Sequence, residues 1–97
     1  MNEFEKFLWE DQRLVILRLL ANVSSYTANS SVLHNGLLQI GHVISRDQIK
    51  THMRWLEEQG LVTVEPVFDL LVARMTERGS DVAAGRTTVP GVKKPGA

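Results

Sequence analysis

The sequence predicts a mainly α-helical α+β domain with a small β-hairpin. Three observations carry this. Residues 45–59 form a capped, amphipathic helical block that stops at Gly60. Two short apolar, β-branched runs follow, at 61–65 and 68–73, separated by Glu65-Pro66-Val67. Upstream, residues 3–21 and roughly 31–41 both keep helical spacing of apolar residues.

The first helix is expected over 3–21. Phe4, Phe7, Leu8, Asp11, Leu14, Val15 and Arg18 share one stripe. The second half adds Ile16, Leu17 and Leu20 off that stripe, as in a helix buried on more than one side. From Asn22 to Ser31 the chain is rich in Asn, Ser and Thr, which compete for backbone hydrogen bonds and favour turns and caps. A very short strand at Tyr26-Thr27 fits there. Asn29 or Ser30 is the expected N-cap of the second helix, with Val32, Leu33, Leu37 and Ile40 at helical spacing. Gly36 inside that helix costs about 1 kcal/mol relative to Ala, so close packing against a neighbour is expected there.

Gly41-His42-Val43-Ile44 reads as a turn, Gly41 being suited to the positive φ of a helix end. Ser45 with Gln48 three residues later reads as a capping box opening the third helix, with Ile49, Met53 and Leu56 facing inward. The hairpin tip is expected at or near Glu65-Pro66-Val67. Thr76 to about Arg86 reads as a short fourth helix, weakened by Gly79 and Gly85. Residues 1–86 are thus expected to form the domain and 87–97 a flexible C-terminal tail.

Ninety-seven residues, 43% of them hydrophobic, suit one small domain with a single core. There is no cysteine, which removes disulfides and thiolate sites and fits a cytoplasmic protein. No run approaches the roughly 18 apolar residues of a membrane span, and the acidic start Met1-Asn2-Glu3-Phe4-Glu5 lacks the basic region of a signal peptide. Net charge is zero, which argues against a purely electrostatic nucleic-acid binder. The charge is nevertheless uneven. Within 1–12, Glu3, Glu5, Glu10 and Asp11 face Lys6, whereas within 45–54 Arg46, Lys50 and Arg54 face only Asp47.

The order helix, short strand, helix, turn, helix, hairpin resembles the winged helix-turn-helix superfamily. The likeness is strongest from Val43 to Val64, where Ser45, Ile49, Met53 and Leu56-Glu57-Glu58-Gln59-Gly60-Leu61-Val62 look like the family's recognition helix and first wing strand. Met75-Thr76-Glu77-Arg78-Gly79 resembles the segment that follows the wing in MarR-like and related regulators. The whole chain also looks like small winged-helix proteins of Mu-like bacteriophages and prophages. The resemblance implies a three-helix core, a two- or three-stranded wing and a short C-terminal helix. It further implies a third helix that enters the DNA major groove and dimerisation through terminal helices.

On that reading Arg46, Gln48, Lys50, Thr51 and Arg54 form the DNA-contacting face, with Gln48 near its edge. Arg and Gln can read guanine and adenine edges in bidentate fashion, and Lys and Thr commonly hold phosphates. Lys93 and Lys94 add loose phosphate attraction. The expected function is a phage, prophage or bacterial transcriptional regulator on double-stranded DNA. The alternative is a winged-helix protein–protein interaction module, a phage accessory factor that binds no DNA. Glu65 and Asp69 near the hairpin tip favour that alternative, because a DNA-gripping wing normally carries Arg or Lys. Phe4, Phe7, Leu8 and Trp9 on the first helix are more apolar surface than a small domain covers, and point to a homodimer.

Other groups carry less. Trp55 is expected to pack structurally. His34, His42 and His52 lack metal-ligand spacing, so no metal site is expected, and local hydrogen bonds or phosphate contact suit them better. Glu57 and Glu58 read as a solvated helix end. With no Gly-rich phosphate loop and no Ser nucleophile elbow, neither an enzyme nor a cofactor is expected.

Overall fold

The computed structural model describes residues 1–96. It is an α+β fold of four helices and one three-stranded antiparallel sheet. The order is α1 (Glu3–Ala21), β1 (Thr27–Asn29), α2 (Ser30–Ile40), α3 (Arg46–Glu58), β2 (Val62–Val67), β3 (Leu70–Met75) and α4 (Glu77–Ala83).

Helix α1 begins where Asn2 accepts a hydrogen bond from the Glu5 amide (2.8 Å), with Glu3 and Glu5 in its first turn and Arg18 in its last, as the helix dipole favours. Leu14, Val15, Ile16, Leu17 and Leu20 are buried, so its second half is enclosed on several sides as its sequence implies. Strand β1 starts one residue later than expected. Tyr26 holds a left-handed φ of 53° in a 3-10 turn (Ser24–Tyr26) and cannot open a strand. Asn29 caps α2 by accepting from the Val32 amide (2.9 Å). Gly36 meets α1, where a Cβ would lie 2.6 Å from a Leu19 methyl. Gly41 ends α2 at φ 104°.

Ser45 caps α3, its hydroxyl accepting from the Gln48 amide (3.0 Å). The reciprocal arm of the expected capping box is missing, because the Gln48 side chain turns inward to His52. Ile49, His52, Met53 and Leu56 form the buried stripe of this helix. With Leu14, Ile16, Leu17, Leu20, Leu33, Leu37 and Leu61 they build the core between the helices and the sheet.

The sheet order is β1-β3-β2. The hairpin differs from expectation. Pairing continues through Pro66↔Leu71 to Val67↔Leu70, so the tip is Phe68-Asp69 and not Glu65-Pro66-Val67. Strand β2 lies at the edge of the sheet, where a residue without an N–H is tolerated. Thr76 caps α4, accepting from the Gly79 amide (3.1 Å) while donating to the Gly60 carbonyl (2.7 Å). Gly79 fits because a Cβ there would stand 2.1 Å from the Leu61 carbonyl oxygen. Helix α4 stops at Ala83, short of Arg86.

The largest departure is the C-terminal segment. Residues 87–96 do not hang free, and Ala97 lies outside the described residues. Val89 and Val92 are buried in the core. The Lys93 amide donates to the Glu10 carbonyl (3.1 Å). Gly91, at φ 99°, lies so close to the Trp55 ring that a Cβ would stand 2.5 Å from it. Two valines spaced by three residues, with a glycine flat against an indole between them, suffice to anchor a segment of otherwise tail-like composition.

Removing residues 87–97 is therefore expected to destabilise the protein by about 3 kcal/mol, the burial of two valine side chains. Urea unfolding of the truncated and full-length chains measures it; equal midpoints would show that the segment contributes nothing.

Candidate nucleic-acid interface

The turn between α2 and α3 is fixed from both sides. His34 on α2 donates from Nε2 to the Ile44 carbonyl (2.8 Å). His42 donates from Nε2 to Asp11 on α1 (2.7 Å). These contacts set the angle at which α3 leaves the body. Asp11 is partly buried. Burial pushes its carboxyl up, but hydrogen bonds from His42 and Lys93 outweigh this and hold it below the ordinary value.

The inner side of α3 is held by a polar cluster that the sequence reading missed. His52 is fully buried. Its Nδ1 accepts from Arg13 Nε (3.2 Å), so the ring proton is on Nε2, which donates to Gln12 Oε1 (2.8 Å). Gln12 reaches His42 Nδ1 at 3.4 Å. Arg13 also donates to the Gly91 carbonyl (3.0 Å), and its guanidinium lies 4.0 Å from the Trp55 ring centroid and 5.5 Å from that of Trp9. Trp9 meets His52 edge-on at 5.3 Å. Trp55 thus packs structurally, and His52 is not available to a phosphate. Position 52 completes the 49/52/53/56 stripe, so the spacing alone could have placed it inside.

Burial, then the charges of Arg13 and His42, push the His52 pKa down to about 4. Protonation would also place a second N–H against the Arg13 guanidinium.

On the outer side of α3, the five predicted contact residues divide. Arg46, Thr51 and Arg54 are exposed. Arg54 pairs with Glu57 (3.0 Å). Lys50 is half-buried and donates to the Asp69 carbonyl at the hairpin tip (2.7 Å), joining helix to hairpin. Gln48, expected near the edge of this face, is half-buried, its side-chain amide 3.3 Å from His52 Nε2. Asp47 and Glu58 are exposed on the same outer surface. The whole helix balances Arg46, Lys50 and Arg54 against Asp47, Glu57 and Glu58.

A cleft of about 170 Å³ opens between the N-termini of α2 and α3 and the hairpin tip, lined by Ser30, Ser31, Arg46, Asp47, Lys50, Asp69 and Leu70. Asp69 therefore shares its surroundings with two cations. Glu65 likewise shares a shallow depression with Arg74.

The exposed aromatic group on α1 also divides. Phe4 and Phe7 are 68% and 46% exposed, whereas Leu8 and Trp9 are half-buried and Trp9 belongs to the inner cluster. Lys93 lies over the Phe7 ring (5.2 Å) and 3.4 Å from Asp11, so it is held close to the body, unlike the freely reaching cation of a loose tail. Among the described residues no three His, Asp or Glu side chains converge on a metal position. Among the described residues no helix is long and apolar enough to cross a membrane.

No protein-family model matches the chain. It is similar to an uncharacterized protein, gp26, of Escherichia phage Mu, with 49% identity over 88 residues covering 91% of each chain. It is also 49% identical over 76 residues to an uncharacterized protein of Haemophilus influenzae, covering 77% of this chain and 74% of that one.

The buried imidazole fixes a pH dependence. From pH 6.5 down to about 4, the unfolded His52 takes up a proton that the folded one refuses, so stability falls as pH falls through that window. The expected loss is about 3 kcal/mol in total, read by urea unfolding across pH 4–7. His52→Gln should be less stable at pH 7 but lack this slope; a slope unchanged in that variant would assign the effect to another group.

Proposed function

We propose that this chain, which belongs to the same family as gp26 of Escherichia phage Mu, is a winged helix-turn-helix protein that binds double-stranded DNA and acts in transcriptional control. The sheet order β1-β3-β2 carries the reading, with β1 set between α1 and α2 and the hairpin following α3. In that arrangement the hairpin tip and the N-termini of α2 and α3 come to one side of the molecule. Lys50 bonded to Asp69 supports this placement. The outer face of α3 stands clear of the rest of the chain, with Arg46, Thr51 and Arg54 outermost.

Arg46 and Arg54 are the groups for base edges or phosphates, and Thr51 for a phosphate. Gln48 is left out of the contact set because its side chain lies half-buried beside His52. A second copy related by a two-fold axis would place two such helices on one duplex. Phe4 and Phe7 are the apolar surface for that homodimer, with Leu8 at its border.

A second reading is favoured by one observation. The cations of α3 are matched one for one by Asp47, Glu57 and Glu58. This balance supports a protein-binding module in which α3 meets a polar partner surface and DNA is not bound.

Salt dependence separates the two. With at most Arg46, Lys50 and Arg54 neutralising phosphates, the slope of log affinity against log salt should be about −1 to −3 per protomer, far shallower than the roughly −10 of a large repressor. Arg46→Ala should flatten it by about 1, while Gln48→Ala should leave DNA affinity unchanged. Fluorescence anisotropy on a duplex pool measures both; absence of binding at low salt selects the protein-binding reading. For the dimer, Phe4→Ser with Phe7→Ser should convert the sedimenting species to monomer without loss of fold, because neither ring belongs to the core.

A further inference from the structure

Phe68 is the most anomalous residue of the chain. Its side chain is 99% exposed. It occupies the first position of the two-residue turn between Val67 and Leu70, at φ 56°. Two-residue hairpin turns with a positive φ at that position call for Gly, because a Cβ crowds the backbone there. A bulky aromatic residue is thus held in a strained conformation while covering nothing in its own protomer. Such strain is a reason to look for a contact outside the chain.

Tyr26 also has a positive φ, but its turn is secured locally. The Tyr26 amide donates to the Val23 carbonyl (3.1 Å), and the Thr27 hydroxyl donates to the Ser25 carbonyl (2.7 Å). Its side chain is only about half exposed, at 54%. The Phe68 turn instead closes on the next element. Lys50 of α3 holds the carbonyl of Asp69, the residue beside Phe68. The aromatic ring is therefore carried at a fixed offset from the outer face of α3. The Lys50 bond thus ties the turn that carries Phe68 to α3.

We infer that Phe68 is an apolar wedge, inserted between base pairs of the groove flanking the one occupied by α3, and that the protein kinks DNA there. The inference rests on the DNA-binding reading given above and adds a deformation to it. Unstacking a base step with an inserted Phe, Leu, Ile or Met bends duplexes by roughly 20–90°. Val67, 41% exposed behind the ring, extends the apolar tip. The neighbouring carboxylates do not stand alone against phosphates, since Asp69 shares a cleft with Arg46 and Lys50, and Glu65 a depression with Arg74. Pyrimidine–purine steps unstack most easily, so a TA or CA step is the expected point of insertion.

The test uses the full-length protein and a duplex that it selects from a randomised pool, labelled at both ends for energy transfer. Wild type should bind and shorten the end-to-end distance. Phe68→Gly should keep binding within about tenfold, lose most of the bend, and melt no lower than wild type, since glycine suits the turn. Phe68→Trp should keep the bend. The inference is overturned if wild type binds a straight duplex or if Phe68→Gly bends it as fully. Failure to select any duplex, even at low salt, overturns the DNA-binding reading itself and this inference with it, and moves Phe68 to a protein partner.

Discussion

The fold depends on one guanidinium. Arg13 leaves α1, donates to His52 of α3 and to the Gly91 carbonyl of the C-terminal segment, and is flanked by Trp9 and Trp55. Three parts of the chain far apart in sequence thus meet on a single charged group. Burying such a cation is costly unless its donors are engaged. Here the acceptors are a neutral imidazole and a main-chain oxygen, and the aromatic faces supply further electrostatic stabilisation. Burial lowers the Arg13 pKa, yet the group starts so basic that it stays charged at neutral pH. That fixed charge in turn helps to keep His52 neutral.

This arrangement explains which parts of the architecture were readable in the residues. Helix α1, the turn at Gly41 and the cap at Ser45 follow from local rules: apolar spacing, a positive φ and a hydroxyl at the right position. Gly36 was expected to pack closely, and it does, against Leu19. The polar cluster escaped because each member looks ordinary alone. A glutamine and an arginine side by side on α1 and two histidines on later segments become one network only in three dimensions. The C-terminal segment escaped for a related reason. Averaged composition hides two anchoring valines, and the glycine between them matters only because Trp55 lies opposite. The hairpin tip lies slightly beyond its expected place because Pro66, which cannot donate to a central ladder, is accepted on an edge strand.

The candidate interface was legible in outline and less so in detail. Five residues were expected on the outer face of α3. Arg46, Thr51 and Arg54 are exposed there, Lys50 is half-buried against the hairpin, and Gln48 is turned inward. Helical periodicity assigns a side to each position but does not say which side chain at the border bends toward a buried neighbour. Charge counting was likewise incomplete, because the block ending at residue 54 omitted Glu57 and Glu58 of the same helix. The balanced helix makes shape and specific contacts weigh more than long-range attraction in any encounter with a partner.

Pro66 has a consequence beyond the hairpin. The two free margins of the sheet are β1, only three residues long, and β2, interrupted by a residue with no amide hydrogen. A neighbouring polypeptide finds no uninterrupted ladder to zip onto. Edge-to-edge pairing between crowded copies, the first step of strand-by-strand templating into fibrils, is thereby disfavoured.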